Sequence, residues 1–158
     1  MILNDKAIIS DPCYEYGKYA EGNFTLDIVP GKYISTVNIL EGRVAEVNVV
    51  HADYEEESKV WQLLGDVWVD SGDIGVFDYS LKNLLGDKEG DELSQQFYDL
   101  CGDITCGANG YGGEDNFFIS RTFYGDGSYP LYVAKDADNT GKVFAMYLRY
   151  FEGEDDEL

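Results

Sequence analysis

Lys32-Tyr33-Ile34-Ser35-Thr36-Val37-Asn38-Ile39-Leu40-Glu41-Gly42-Arg43-Val44-Ala45-Glu46-Val47-Asn48-Val49-Val50-His51 is the stretch whose reading decides the fold. In its first half Tyr33, Val37 and Ile39 fall on one face, and in its second half Ala45, Val47, Val49 and His51 do the same. A period of two is that of a strand with one buried side. Glu41-Gly42 sits between the halves as a two-residue turn, so the stretch predicts an antiparallel hairpin.

Strand signals recur on both sides. Ala7-Ile8-Ile9 is stopped by Ser10-Asp11-Pro12, where Pro12 cannot extend a ladder. Phe24 to Val29 alternates up to Pro30-Gly31. Val67-Trp68-Val69 ends at Asp70-Ser71-Gly72-Asp73, and Ile74 to Asp78 follows that turn. Asn116 to Tyr124 alternates, with Phe117, Ile119, Arg121 and Phe123 on one side. Gly125-Asp126-Gly127-Ser128 then turns the chain. Tyr129 to Lys135 and Lys142 to Phe151 predict a second hairpin, whose last strand is apolar on both faces and so central.

Two segments read as helical. Leu81 to Leu85 is a short helix capped by Ser80 and ended by Gly86. Asp91 to Cys101 is a longer one, capped by Asp91, with Leu93, Phe97, Leu100 and Cys101 along one face. Asp53 to Ser58 and the glycine-rich Gly102 to Asp115 read as loops. The expected class is α+β, predominantly antiparallel β-sheet as a sandwich or half-open barrel, with one or two short helices. One domain spans 1–151, and an acidic, frayed tail spans 152–158.

Composition restricts the partners. The chain has 158 residues, with 31 Asp plus Glu against 11 Lys plus Arg, a formal net charge of −20. Such a field repels nucleic acid and anionic membranes. It leaves a basic protein surface, a divalent cation or a neutral small-molecule ligand. The start, Met1-Ile2-Leu3-Asn4-Asp5-Lys6, lacks the basic and apolar regions of a secretory leader, and no apolar run is long enough to span a bilayer. With three cysteines, an odd number, this predicts free thiols in the reducing cytoplasm.

The candidate site is the set of Asp-centred turns: Asp11 in the first; Asp70, Ser71 and Asp73 in the second; Asp126, Ser128 and the following Tyr129 in the third. Each follows a predicted strand. Gathered at one end of a sheet they form an oxygen-rich pocket, suited to a ligand or to a hard cation, although the same residues are ordinary turn formers. Asp136-Ala137-Asp138-Asn139-Thr140-Gly141 opens like a calcium loop. However, Tyr147 occupies the twelfth position, where an acidic ligand is needed, which favours a plain hairpin turn. Cys13, Cys101, Cys106 and His51 lack zinc-site spacing. His51, the only histidine, lies on an apolar face and reads as a satisfied core residue. No nucleophile elbow, P-loop or dinucleotide fingerprint is present. No catalytic residue or cofactor is therefore expected, with a divalent cation as the one weak exception.

Three strings, Ile9-Ser10-Asp11-Pro12-Cys13-Tyr14-Glu15, Val69 through Asp78, and Tyr124-Gly125-Asp126-Gly127-Ser128-Tyr129-Pro130-Leu131-Tyr132, carry a resemblance. The chain is similar to a domain-of-unknown-function group of small bacterial and phage proteins with these motifs in this order. The resemblance implies a bacterial or phage cytoplasmic origin and assigns no catalytic role. Three functions follow as expectations. The first is a non-catalytic acidic module that engages a basic protein, in a phage setting an inhibitor of host defence or a mimic of DNA. The second is a metal-dependent hydrolase using Asp11, Asp70, Asp73 and Asp126. The third is a small-ligand binding protein with a pocket lined by Tyr14, Trp68 and Tyr129.

Overall fold

The computed structural model describes residues 1–54, 60–138 and 141–152. Among these residues eleven strands and one α-helix occur in the order β1 (Ile2–Leu3), β2 (Lys6–Ser10), β3 (Phe24–Asp27), β4 (Gly31–Leu40), β5 (Arg43–His51), β6 (Gln62–Val69), β7 (Asp73–Asp78), α1 (Glu92–Thr105), β8 (Tyr111–Glu114), β9 (Phe117–Arg121), β10 (Gly127–Asp136) and β11 (Lys142–Arg149), with a 3₁₀ helix at Tyr79–Leu84 between β7 and α1. They form a six-stranded sheet in the order β1-β4-β5-β11-β10-β6 and a five-stranded sheet in the order β3-β2-β7-β9-β8. Ala7, Ile9, Ile74, Val76 and Phe118 of the smaller sheet share one buried cluster with Val47, Val49, Leu131, Met146 and Leu148 of the larger. The fold is thus an α+β sandwich, with the sheets face to face.

The decisive hairpin forms where the alternation places it. Glu41 and Gly42 both take positive φ, 53° and 78°, the backbone twist that a two-residue hairpin turn requires. One detail differs. A register shift between Asn38 and Ile39 rotates the strand end, so Ile39 leaves the inner face and is half exposed. A bulge of this kind is invisible to a period-two count.

The second face of the five-stranded sheet is covered by α1. Phe97 and Cys101 of the helix pack with Ile8, Phe77, Phe117, Ile119 and Leu85. Strand β7 is therefore sandwiched, and all six of its residues are buried. Asp91 caps the helix, accepting the Ser94 N–H at 3.1 Å. The helix runs one turn beyond Cys101 to Thr105, and β8 follows, so much of the expected 102–115 loop is ordered structure. Its buried face is Ser94, Phe97, Cys101 and Thr105; Leu93, expected inside, is 67% exposed. The 3₁₀ helix is capped by Asp78 rather than Ser80: Asp78 Oδ2 accepts the Ser80 N–H at 3.2 Å and the Ser80 hydroxyl at 2.5 Å.

Strand β11 lies inside the larger sheet between β5 and β10, which agrees with its two apolar faces. The loop expected at Asp53 to Ser58 and the turn after Asp138 fall partly outside the described residues, and the tail beyond Glu152 falls wholly outside them. Among the described residues no helix is long and apolar enough to cross a membrane.

Candidate functional site

The three Asp-centred turns do gather at one end of the sandwich, and Asp11 ties two of them together. It is fully buried. Its Oδ1 accepts the Cys13 N–H at 2.8 Å and the Ser71 hydroxyl at 2.6 Å. Its Oδ2 accepts the N–H groups of Asp70 at 2.8 Å and Ser71 at 2.7 Å. Four donors on two oxygens leave this carboxylate no open direction toward a ligand; it acts as a clamp between the end of β2 and the β6–β7 turn. The third turn joins through Thr122, whose hydroxyl is 3.2 Å from Gly72 O and 2.5 Å from Gly125 O.

Beside the clamp opens a cleft of about 1000 Å³. One wall is the C-terminal half of α1, with Asp99 and Asp103, and the glycine-rich loop after Cys106. The other is the β4–β5 turn with Arg43 and the end of β9 with Arg121, Thr122 and Phe123. Ser71, Gly72 and Asp73 form the floor. The register explains the floor: Asp73 on β7 stands opposite Arg121 on β9, so both side chains lie toward the end of α1. Asp73 is buried and accepts the Thr105 hydroxyl at 2.9 Å. Burial pushes its carboxyl up to about 6; the Thr105 bond and the Arg121 charge pull it down, while Asp11 and Asp126 add to the rise. A buried acid with a raised pKa on a cleft floor marks a candidate functional position.

The expected site residues separate here. Ser71 and Asp73 line the cleft. Asp11 lies buried beneath it. Asp70 faces a smaller hollow of about 260 Å³ beside Cys13 and Tyr14, and its Oδ2 accepts the Tyr14 hydroxyl at 2.8 Å. Asp126 and Ser128 are exposed in the third turn. Tyr129 is buried, with its hydroxyl on Gly125 O at 2.7 Å. Of the three aromatics Tyr14, Trp68 and Tyr129, Tyr14 lines the smaller hollow, and neither Trp68 nor Tyr129 lines that hollow or the cleft. Trp68 instead lies against Gly22, where an added Cβ would fall 2.2 Å from the indole. Sequence reading missed Arg43, Arg121, Asp99 and Asp103. The available signal was the scarcity of arginine: two of the chain's three stand on this cleft.

Among the described residues no three His, Cys, Asp or Glu side chains come together as a metal-ligand set. His51 is buried and satisfied: Nε2 donates to Pro30 O at 2.9 Å, and Nδ1 accepts the Asp53 N–H at 3.1 Å. This bonding fixes the neutral tautomer with its proton on Nε2. The three cysteines are free, Cys101 buried in the core and Cys106 exposed at the end of α1. Compared with protein-family models, curated proteins and solved structures, the chain finds no match in any of the three.

Proposed function

We propose that this chain is a non-catalytic binding protein whose partner is a basic protein surface, docked on the acidic side of α1 beside the cleft. One observation carries the reading. Glu92, Gln96, Asp99 and Asp103 are exposed on α1, and their spacing of four, seven and eleven residues places them in one stripe. No Lys or Arg is present anywhere on this helix. Asp103 sits in its last turn, where the helix dipole disfavours negative charge. The Asp99 and Asp103 end of the stripe is unfavourable in the free protein, and a cationic partner relieves it.

The overall charge supports this choice. With 11 cations for 31 carboxylates, one-to-one pairing leaves 31 − 11 = 20 acids without a cation. Lys6–Asp27 and Lys88–Asp91 are ion pairs, but partly solvent-exposed ones, which stabilise little. In the bacterial or phage cytoplasm that the motifs imply, the partner fits a nucleic-acid-binding protein whose basic surface meets carboxylates in place of phosphates, and the chain an inhibitor of host defence. Affinity capture from bacterial lysate, with the wild type and an E92Q/D99N/D103N variant, tests the reading at low and high salt. A partner retained by wild type at low salt, and released by salt or by the variant, is expected. Salt-insensitive capture, or equal capture by the variant, removes it, since exposed charge contacts are screened.

A further inference from the structure

The cleft also holds an arrangement that a purely acidic surface does not explain. Arg43 reaches it from the β4–β5 turn and Arg121 from the end of β9. Each guanidinium makes a contact at the cleft wall. Arg43 Nη1 donates to Phe123 O at 3.3 Å, and its guanidinium lies 5.0 Å from the Phe123 ring centre. Arg121 Nη2 lies 3.6 Å from Cys106 Sγ. A guanidinium has five N–H donors. The anchoring contacts use few of them, and both residues remain exposed.

We propose that Arg43 and Arg121 form an oxyanion subsite, and that the cleft takes a small dipolar molecule. Its carboxylate or phosphate oxygens lie on the two arginines, and its ammonium or guanidinium end lies on Asp99 and Asp103. Planar guanidinium forks are matched to such oxygens. The opposite wall makes the second half necessary. An anion alone would enter a cleft that also carries Asp73, Asp99 and Asp103, inside a molecule of charge −20. A ligand with its own cation offsets that field. The contacts each arginine already makes reduce the side-chain freedom lost on binding, and the volume is that of a small-molecule site. The inference shares Asp99 and Asp103 with the partner reading above, but it rests on Arg43 and Arg121, whose variants leave the acidic stripe of α1 intact, so the two readings can fail separately.

The test is a titration followed by NMR of backbone amides and arginine Nε–H groups, at constant ionic strength. The probes are L-arginine, which carries both ends; inorganic phosphate, which carries only the oxyanion; and agmatine, which is L-arginine without its carboxylate. L-Arginine should shift the Nε–H signals of Arg43 and Arg121 and the amides of Phe123 and Gly107 in a saturable way. Phosphate should shift the same signals more weakly, and agmatine should leave the two Nε–H signals in place. An R43Q/R121Q variant with a wild-type amide spectrum elsewhere should bind L-arginine at least about tenfold more weakly. An R43K/R121K variant, which keeps the charge and loses the fork, should recover part of that loss. The proposal is overturned if no oxyanion probe shifts these signals saturably, if agmatine shifts them as L-arginine does, or if the glutamine variant binds undiminished.

Discussion

Asp11 and Ser71, sixty residues apart in sequence, are joined twice: the Ser71 N–H donates to Asp11 Oδ2 at 2.7 Å and its hydroxyl to Oδ1 at 2.6 Å. With the N–H groups of Cys13 and Asp70 on the same carboxylate, the pair holds the end of β2 against the β6–β7 turn. Asp11→Ala leaves four donors at a buried point without their acceptor. Each unsatisfied group costs about 1–3 kcal/mol where water cannot reach it. The variant should lose on the order of 4 kcal/mol in urea unfolding, and Ser71→Ala about 1 kcal/mol. An Asp11→Ala protein within about 1 kcal/mol of wild type would show that water replaces the clamp.

Asp73 gives the fold a pH dependence of definite sign. Its folded carboxyl keeps a proton up to about pH 6, whereas an unfolded aspartate releases it near ~3.9. Protonation therefore favours the folded state. This contribution is complete below ~pH 4 and is lost as pH rises through about 6, on the order of 3 kcal/mol in all. Asp73→Asn preserves the shape and an acceptor for Thr105 but cannot ionise. It should raise the melting temperature at pH 8 by several degrees and leave it nearly unchanged at pH 4. A variant less stable than wild type at pH 8 would mean that the charge on Arg121 outweighs burial.

The clamp and the buried acid mark how far the sequence could be read. The Asp-centred turns were legible as turns, and their gathering follows once β2, β7 and β9 pair. Their roles were not legible. Whether an aspartate points inward to bind backbone, as Asp11 does, or outward to solvent, as Asp126 does, depends on tertiary register. Arg121 shows the same limit: only its position opposite Asp73 turns a strand-end cation into part of a cleft. The hairpins and the central β11 were legible because alternation reports burial directly. The end of α1 was not, because Gly102 has low helix propensity, yet the contacts of Cys101 and Thr105 carry the helix through it.

Gly75 tests the sandwiched position of β7. An added Cβ there would fall 2.2 Å from Cζ of Phe77, and that ring is fully buried beneath α1. The ring cannot swing outward without displacing Phe97 or Phe117, its neighbours at 5.9 and 6.0 Å between ring centres. Gly75→Ala should destabilise by about 1–3 kcal/mol through overpacking. Adding Phe77→Leu should cost less in the Gly75→Ala background than in the wild type, a coupling that a double-mutant cycle reads directly. Additive effects would place the strain elsewhere.

The outer edge of the larger sheet makes a prediction about association. Strand β1 pairs only with Gly31 and Lys32, and Met1 O accepts the Tyr33 N–H at 2.8 Å. The alternation of a ladder then directs the N–H and C=O groups of Ser35 and Val37 to the same side, where among the described residues no strand meets them. Ile34 is 51% exposed, and no charged residue occurs from Tyr33 to Leu40. An open, uncharged edge is a template for strand pairing. At neutral pH the net charge of −20 keeps copies apart, but protonation of carboxylates removes that repulsion. Light scattering should therefore rise as pH approaches ~4, where the carboxylates titrate. Ile34→Lys, which places a charge on the edge strand, should delay the rise with little effect on stability. If the variant aggregates as fast as the wild type, association uses a surface other than β4.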